Sequence, residues 1–319
     1  PDWKESLEPG WQKRRMWNFT NLTSGIPEPE DMVGDGWTDI IGKMIETMKR
    51  QRKEGLSPAQ LGEIMEMADF EKMEQIRARV DEMISNGDIA ESLKPYYRQF
   101  CKRPCFHDEY LKTFNRPNVT LVDTDGKGPE RITEKGIVAN GVEYEVDCII
   151  YASGFEVGTS FTRRAGAELY GRNGITLTEY WEKGARTMHG FHVRNFPNMF
   201  IISPVQSAMT VNFTHMLDAQ STHLAHIIDH CLSNDIEVVE VTEEGEQQWV
   251  DAIVGMSQMN AGFQTECTPG YYNNEGQAAA EGARQSAGYG AGPVALMKLF
   301  EAWRDAGKFE GLELTPPRP

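Results

Sequence analysis

The stretch Val142–Phe155, VEYEVDCIIYASGF, decides how the chain is read. Its first half alternates, with Val142, Tyr144 and Val146 on one face, which is the period of a half-buried strand. Its second half, Cys148–Ala152, is apolar throughout, as in a strand of a parallel sheet covered on both faces. The run stops at Ser153-Gly154, where a glycine lets the backbone pass close to a neighbour. A hairpin strand leading into a buried parallel strand predicts an α/β fold, whose ligands sit beyond the carboxyl ends of the strands.

Outward from this run, VTLVD (Val119–Asp123) and RITEKGIV (Arg131–Val138) read as further short strands, and MFIIS (Met199–Ser203) as a second buried one. Helical spacing begins upstream. Ile40, Ile41, Met44, Ile45 and Met48, then Leu61, Ile64 and Met65, then Met73, Ile76, Val80, Met83 and Ile84 predict a helical unit between about Trp37 and Phe100. Ser57-Pro58 is a helix start, and Gly55 and Gly87 punctuate its helices. Downstream, helices are expected over Phe213–Ser233, Glu243–Met256 and Val294–Ala306, with a turn-rich aromatic segment over Thr265–Gly292.

Composition narrows the function. The 319 residues carry 48 acidic against 32 basic side chains, a net charge of −16, which disfavours nucleic acid as a partner. With 39% hydrophobic and 25% charged residues the chain is of globular type, and its length suggests about two domains. No apolar stretch approaches the roughly 20 residues that cross a bilayer, and no basic-then-apolar leader opens the sequence, so a cytoplasmic location without membrane contact is expected. Five cysteines, none in a CxxC pair, fit a reducing compartment. Cys101, Cys105 and His107, and the helical histidines His215, His223, His226 and His230, lack the spacing of a metal motif, and no metal is expected.

Phosphate-binding and nucleophile motifs are missing: nothing fits GxGxxG, the Walker loop or GxSxG. Gly288, Gly290 and Gly292-Pro293 read as a packing loop. The chemically dense segment is Cys101–Asp123. There Lys102 and Arg103 adjoin Pro104, where the chain leaves the helical unit, and two adjacent cations can either clamp an anion or form a solvated pair.

These residues carry a resemblance. KRPCFHDEYLKTFNRPNVTLVDT (Lys102–Thr124), DCIIYASGFE (Asp147–Glu156), FPNMFIISP (Phe196–Pro204) and FTHMLDAQSTHLAHII (Phe213–Ile228) together resemble the C-terminal half of a type I Baeyer-Villiger monooxygenase, a class B flavoprotein monooxygenase. CTPGYYNNEGQ and the segment from Gly288 to Leu314 resemble the branch acting on large, steroid-like or polycyclic ketones. The resemblance covers nearly the whole chain.

It implies the C-terminal portion of a flavoprotein with two Rossmann-like dinucleotide-binding domains, for FAD and NADP. Residues 1–100 would be a helical insertion of the NADP domain, 101–152 its last part, and 153–319 the C-terminal part of the FAD domain. The implied reaction consumes NADPH and O2 and inserts one oxygen atom beside a ketone carbonyl, giving an ester or lactone. Arg103 is similar to the family's active-site arginine, which holds the anion formed when reduced flavin takes up O2 and then the nicotinamide. Lys102 is similar to the lysine that meets the 2′-phosphate of NADPH. Ser153 and Gly154 match the turn between the two dinucleotide domains, and Thr214, His215 and Met216 the segment beside the flavin ring. Met209, Asn212, Phe213, Tyr271 and Tyr272 fall in segments that line the substrate pocket.

The family's glycine motifs and the arginine's acidic partner lie upstream of the matched region. The chain is therefore expected to act only with an N-terminal half. Two other readings remain open: a non-catalytic interaction module, and a flavin monooxygenase that oxygenates nitrogen or sulfur.

Overall fold

The computed structural model describes residues 2–51, 57–154, 160–257, 261–273, 275–277 and 282–318. Gly55, Phe155, Glu156 and Asn274, singled out above, lie outside them. In chain order the helices are α1 (Trp11–Thr23), α2 (Gly36–Gln51), α3 (Pro58–Met83), α4 (Gly87–Leu93), α5 (Tyr110–Thr113), α6 (Phe161–Ala165), α7 (Leu177–Tyr180), α8 (Phe213–Ser233), α9 (Glu243–Ser257), α10 (Ala261–Glu266) and α11 (Pro293–Ala306). The strands are β1 (Arg131–Ile132), β2 (Gly136–Ala139), β3 (Val142–Glu145), β4 (Val238–Val241) and β5 (Leu312–Thr315). Among the described residues no helix is long and apolar enough to cross a membrane.

The chain divides into two compact units, one formed by Pro1–Arg52 with Gly158–Pro319, the other by Lys53–Val157. The helical segment expected as one body is thus split, with α1 and α2 in the first unit and α3 and α4 in the second.

In the second unit α3 starts as its sequence dictates. Ser57 accepts a hydrogen bond from the Gln60 amide, the Gln60 side-chain oxygen accepts one from the Ser57 amide, and Pro58 takes the first helical position. Val80, Ile84 and Ala90 form its core, against which Leu111 and Phe114 pack. Asn115 closes the end of α3 by accepting from the Ser85 amide and donating to the Met83 carbonyl. β1, β2 and β3 make an antiparallel meander with Ile137 opposite Tyr144, so the expected hairpin forms.

Three sequence expectations fail here and in the first unit. Val119–Asp123 forms no strand. Cys148–Ala152 pairs with nothing among the described residues, and Ile150 and Tyr151 are 85% and 75% exposed. Met199–Ser203 makes one isolated bridge, Phe200 to His192, with Ile201 buried and Ile202 exposed. A strand is completed only by a neighbour that takes up its N–H and C=O groups, and no described residue supplies a parallel one.

The first unit is built around α8, whose predicted bounds are those observed. Phe191, Met216, Trp249, Ile253, Leu296 and Phe300 make its central core. A second cluster joins Ile227 and Cys231 of α8 to Val239 of β4 and to Phe309. β4 and β5 pair antiparallel, Val239 opposite Leu314. Two buried carboxylates tie the loops to this body. Glu246 accepts from the Tyr180 hydroxyl, Arg186 and the Arg194 amide, and Glu240 from Arg172 and the Asn195 amide.

The glycine loop before α11 packs closely, as its composition suggested. A side chain at Gly288 would stand 2.8 Å from the Ser207 carbonyl oxygen, and one at Gly290 2.8 Å from Met256. The neighbouring Tyr289 amide donates to the same Ser207 carbonyl.

Candidate functional site

The candidate residues fall in both units. In the second, the short turn helix Gln99–Cys101 delivers Lys102 and Arg103. Asp69 of α3 fixes that turn, accepting from Arg98 at 3.1 Å and from the Gln99 amide at 2.9 Å. The chain then leaves Lys102 in extended conformation, half-buried, with Arg103 exposed. Gln99 is buried, and neither atom of its side-chain amide has a hydrogen-bond partner. Cys105 and His107 are exposed on the following loop. Ser153 and Gly154 end the exposed apolar run, and Gly154 has φ +99°, which a glycine accepts without strain.

In the first unit Met209, Asn212, Phe213, Thr214, His215 and Met216 lie together where the loop after Ser203 enters α8. Asn212 is the N-cap. Its side-chain oxygen accepts from the His215 amide, and its carbonyl accepts from the amides of His215 and Met216. Two of the helix's first donors are thereby used within the chain. Among the described residues the Phe213 and Thr214 amides find no hydrogen-bond acceptor, and both residues are exposed, as is Met209. Such a helix end presents N–H groups to an acceptor.

The side chains of His215 and Met216 do not share that open surface. Met216 is fully buried in the central core, so only its backbone belongs to the helix end. His215 is buried too, with Nδ1 2.8 Å from the hydroxyl of Thr20 and its ring edge-on to Trp17 at 4.7 Å. Burial lowers its pKa, with Asp218 opposing and Lys13 reinforcing the shift, so the ring is neutral at pH 7. Tyr271 and Tyr272 occupy a separate turn of the same unit, with rings 4.4 Å apart.

Trp17 and Thr20 were not singled out in the sequence. Their helix, Trp11–Thr23, buries Asn18 and Thr20, so a search for apolar periodicity misses its inner face. Asn18 is satisfied by donating to the Glu30 carbonyl and accepting from the Met32 amide. Trp17 and Asn18 also line a pocket of about 580 Å³ with Lys13, Arg14, Glu28 and Met32.

The other helical histidines pack as rings. His223 stacks on Phe300 and on Phe191, which also touch each other, and meets His189 at 3.2 Å, while His226 and His230 stack on Phe309. Burial pushes His189 down to about 3, His192 to about 4 and His223 to about 2. Among the described residues no group of three or more His, Cys, Asp or Glu side chains is placed to hold a metal ion.

The chain is similar to proteins named as Baeyer-Villiger monooxygenases. No family model matches it. Among individual proteins it is 48% identical to pentalenolactone D synthase of Streptomyces exfoliatus, over 98% of this chain and 54% of that one. It is 42% identical to Baeyer-Villiger monooxygenase ATR8 of Stachybotrys chlorohalonatus, over 98% of this chain and 50% of that one. Its fold superposes on the polycyclic ketone monooxygenase of Thermothelomyces thermophila with a TM-score of 0.85 at 34% identity, covering 99% of this chain and 52% of that chain. The chain thus spans about half the length of the relatives it matches, in agreement with the C-terminal half that its motifs indicated.

Proposed function

We propose that this chain is the C-terminal half of an FAD- and NADPH-dependent monooxygenase that converts a ketone to an ester or lactone. One observation carries the reading: 99% of the chain shares, with a TM-score of 0.85 and 34% identity, the fold of a protein described as a polycyclic ketone monooxygenase. A relative named FAD-binding monooxygenase and a steroid monooxygenase structure bound to NADP point to the same two cofactors.

The donor set fits them. The Phe213 and Thr214 amides at the open end of α8 suit an acceptor edge such as that of a flavin ring. Lys102 supplies a point charge for a phosphate and Arg103 a planar fork for an anion. When bound, FAD would take electrons from NADPH and activate O2, one oxygen entering the product and the other leaving as water.

The role proposed for this chain is to bind and orient. Arg103 stabilises negative oxygen at the reacting centre, a preorganised charge that strengthens as the transition state forms. Met209, Asn212, Phe213, Tyr271 and Tyr272 shape the pocket for a large ketone. Residues 101–152 are assigned to the NADP domain and 153–319 to the FAD domain, and an N-terminal half supplies the pyrophosphate-binding glycines.

Arg103→Ala in the complete enzyme tests this. Ester formation should be lost while NADPH still reduces the flavin, and ester formation at the normal rate would remove Arg103 from the site. The intact mass of the native polypeptide and its bound flavin test the half-chain reading. A 36.0 kDa protein without flavin would leave a non-catalytic module as the better description.

A further inference from the structure

The bond between Thr20 and His215 joins residues 195 positions apart and is buried at both ends. We infer that Thr20 is a positioning residue: its hydroxyl donates to Nδ1 of His215, which fixes the imidazole as the tautomer carrying its proton on Nε2.

The argument is one of donor accounting. Thr20 is fully buried, and its hydroxyl hydrogen must go to an acceptor or be left unsatisfied at a cost. A helical threonine commonly donates to the carbonyl four residues back, as Thr23 does to Phe19 at 2.7 Å. Thr20 makes no such bond, and His215 Nδ1 is its side-chain partner. If Nδ1 carried the proton and donated, the threonine hydrogen would have nowhere to go. With Nδ1 as acceptor both groups are satisfied, because a hydroxyl oxygen tolerates an empty lone pair better than its hydrogen tolerates the lack of an acceptor.

Trp17 holds the ring from its edge, 4.7 Å away at 86°, and the Asn212 cap holds the same residue's backbone. α1 thereby locks the first turn of α8 from behind. With Nδ1 occupied, the one polar function left to the buried imidazole is an Nε2–H donor, so in the proposed enzyme the ring would support the helix end beside the flavin from behind and would not act as a base. That last consequence rests on the function proposed above; the tautomer does not.

The test is nitrogen NMR of the histidine rings in the intact protein, with His215→Gln to assign the signal. His215 should show a protonated Nε2 and a bare, hydrogen-bonded Nδ1. Thr20→Ser should preserve both signals, and Thr20→Val should move Nδ1 to the position of an unbonded imine nitrogen. A proton on Nδ1 in the wild type, or an Nδ1 signal unmoved in Thr20→Val, would overturn the inference. The visible circular dichroism of bound flavin, recorded on the same samples, separates the two levels. A change in Thr20→Val but not in Thr20→Ser supports both, whereas a tautomer that responds under an unchanged flavin spectrum keeps the inference and rejects the placement of α8 beside flavin.

Discussion

His192→Phe should flatten the acid sensitivity of this chain by one proton. The His192 ring is buried, its Nε2 has no hydrogen-bond partner, and burial pushes its pKa down to about 4. In the unfolded chain the same ring titrates near its ordinary 6.5. A base whose folded pKa is depressed binds protons better when unfolded, so its folded form is fully favoured above about pH 6.5 and loses ground as pH falls toward the folded value. Between pH 7 and pH 5 the loss is about 2 kcal/mol for such a ring. His189, down to about 3, and His223, down to about 2, behave alike, so the three together cost about 6 kcal/mol over that interval. Phenylalanine keeps the aromatic contact with Phe200, 5.3 Å away, and strands no polar atom. His192→Phe should therefore match or exceed wild-type stability at pH 7 and lose about 4 kcal/mol rather than about 6 at pH 5. Urea unfolding at the two pH values measures this. Trp249 and Trp303, both packed on His189, supply the fluorescence signal. An equal pH-dependent loss in variant and wild type would mean that His192 takes up its proton without unfolding, and the assignment of a neutral buried ring would be wrong.

The turn that delivers Arg103 offers a paired test. Asp69→Ala removes the acceptor of Arg98 and of the Gln99 amide and should cost about 3 kcal/mol, whereas Gln99→Leu, which deletes two unpartnered polar atoms, should be neutral or stabilising by about 1 kcal/mol in thermal unfolding. Stabilities that move the other way would show that the Gln99 amide is bonded in the folded protein. At Ile150, 85% exposed here, substitution by Asp should destabilise the complete enzyme by about 3 kcal/mol, because the proposed neighbouring strands would cover it. An unchanged melting temperature would show that the residue faces water in the complete enzyme too.

How far the sequence can be read depends on where each element finds its partners. α8 is legible because its buried positions Met216, Gln220, His223, Ile227 and Cys231 repeat at three- and four-residue spacing on the helix itself. The face is turned slightly from the purely apolar reading, since Gln220 and His223 are inside and Ile228 is 40% exposed. α3 is legible for a local reason as well, a serine cap with its reciprocal glutamine and a proline at the first position. α1 is hidden because its inner face is polar: Thr20 and Asn18 are buried by virtue of bonds to His215, Glu30 and Met32, which no local pattern announces. β4 and β5 are hidden for a related reason, being four residues each, separated by α9, α10 and α11, and carrying the buried Glu240 within β4.

The same logic bears on the stretch that decides the fold. The β3 part of Val142–Phe155 reads correctly because its partner, β2, is joined to it by the tight turn at Asn140-Gly141, so local sequence contains both halves of the ladder. Cys148–Ala152 reads as a strand for a different reason. Its continuous apolar character describes an environment with cover on both faces, and that environment is a property of whatever lies beside it. With Ile150 and Tyr151 open to solvent the described residues do not provide the cover, yet the residue types demand it. Under the half-chain reading proposed above, residues outside this stretch would complete the sheet and cover the run, and Ile150→Asp in the complete enzyme is the substitution that reads it.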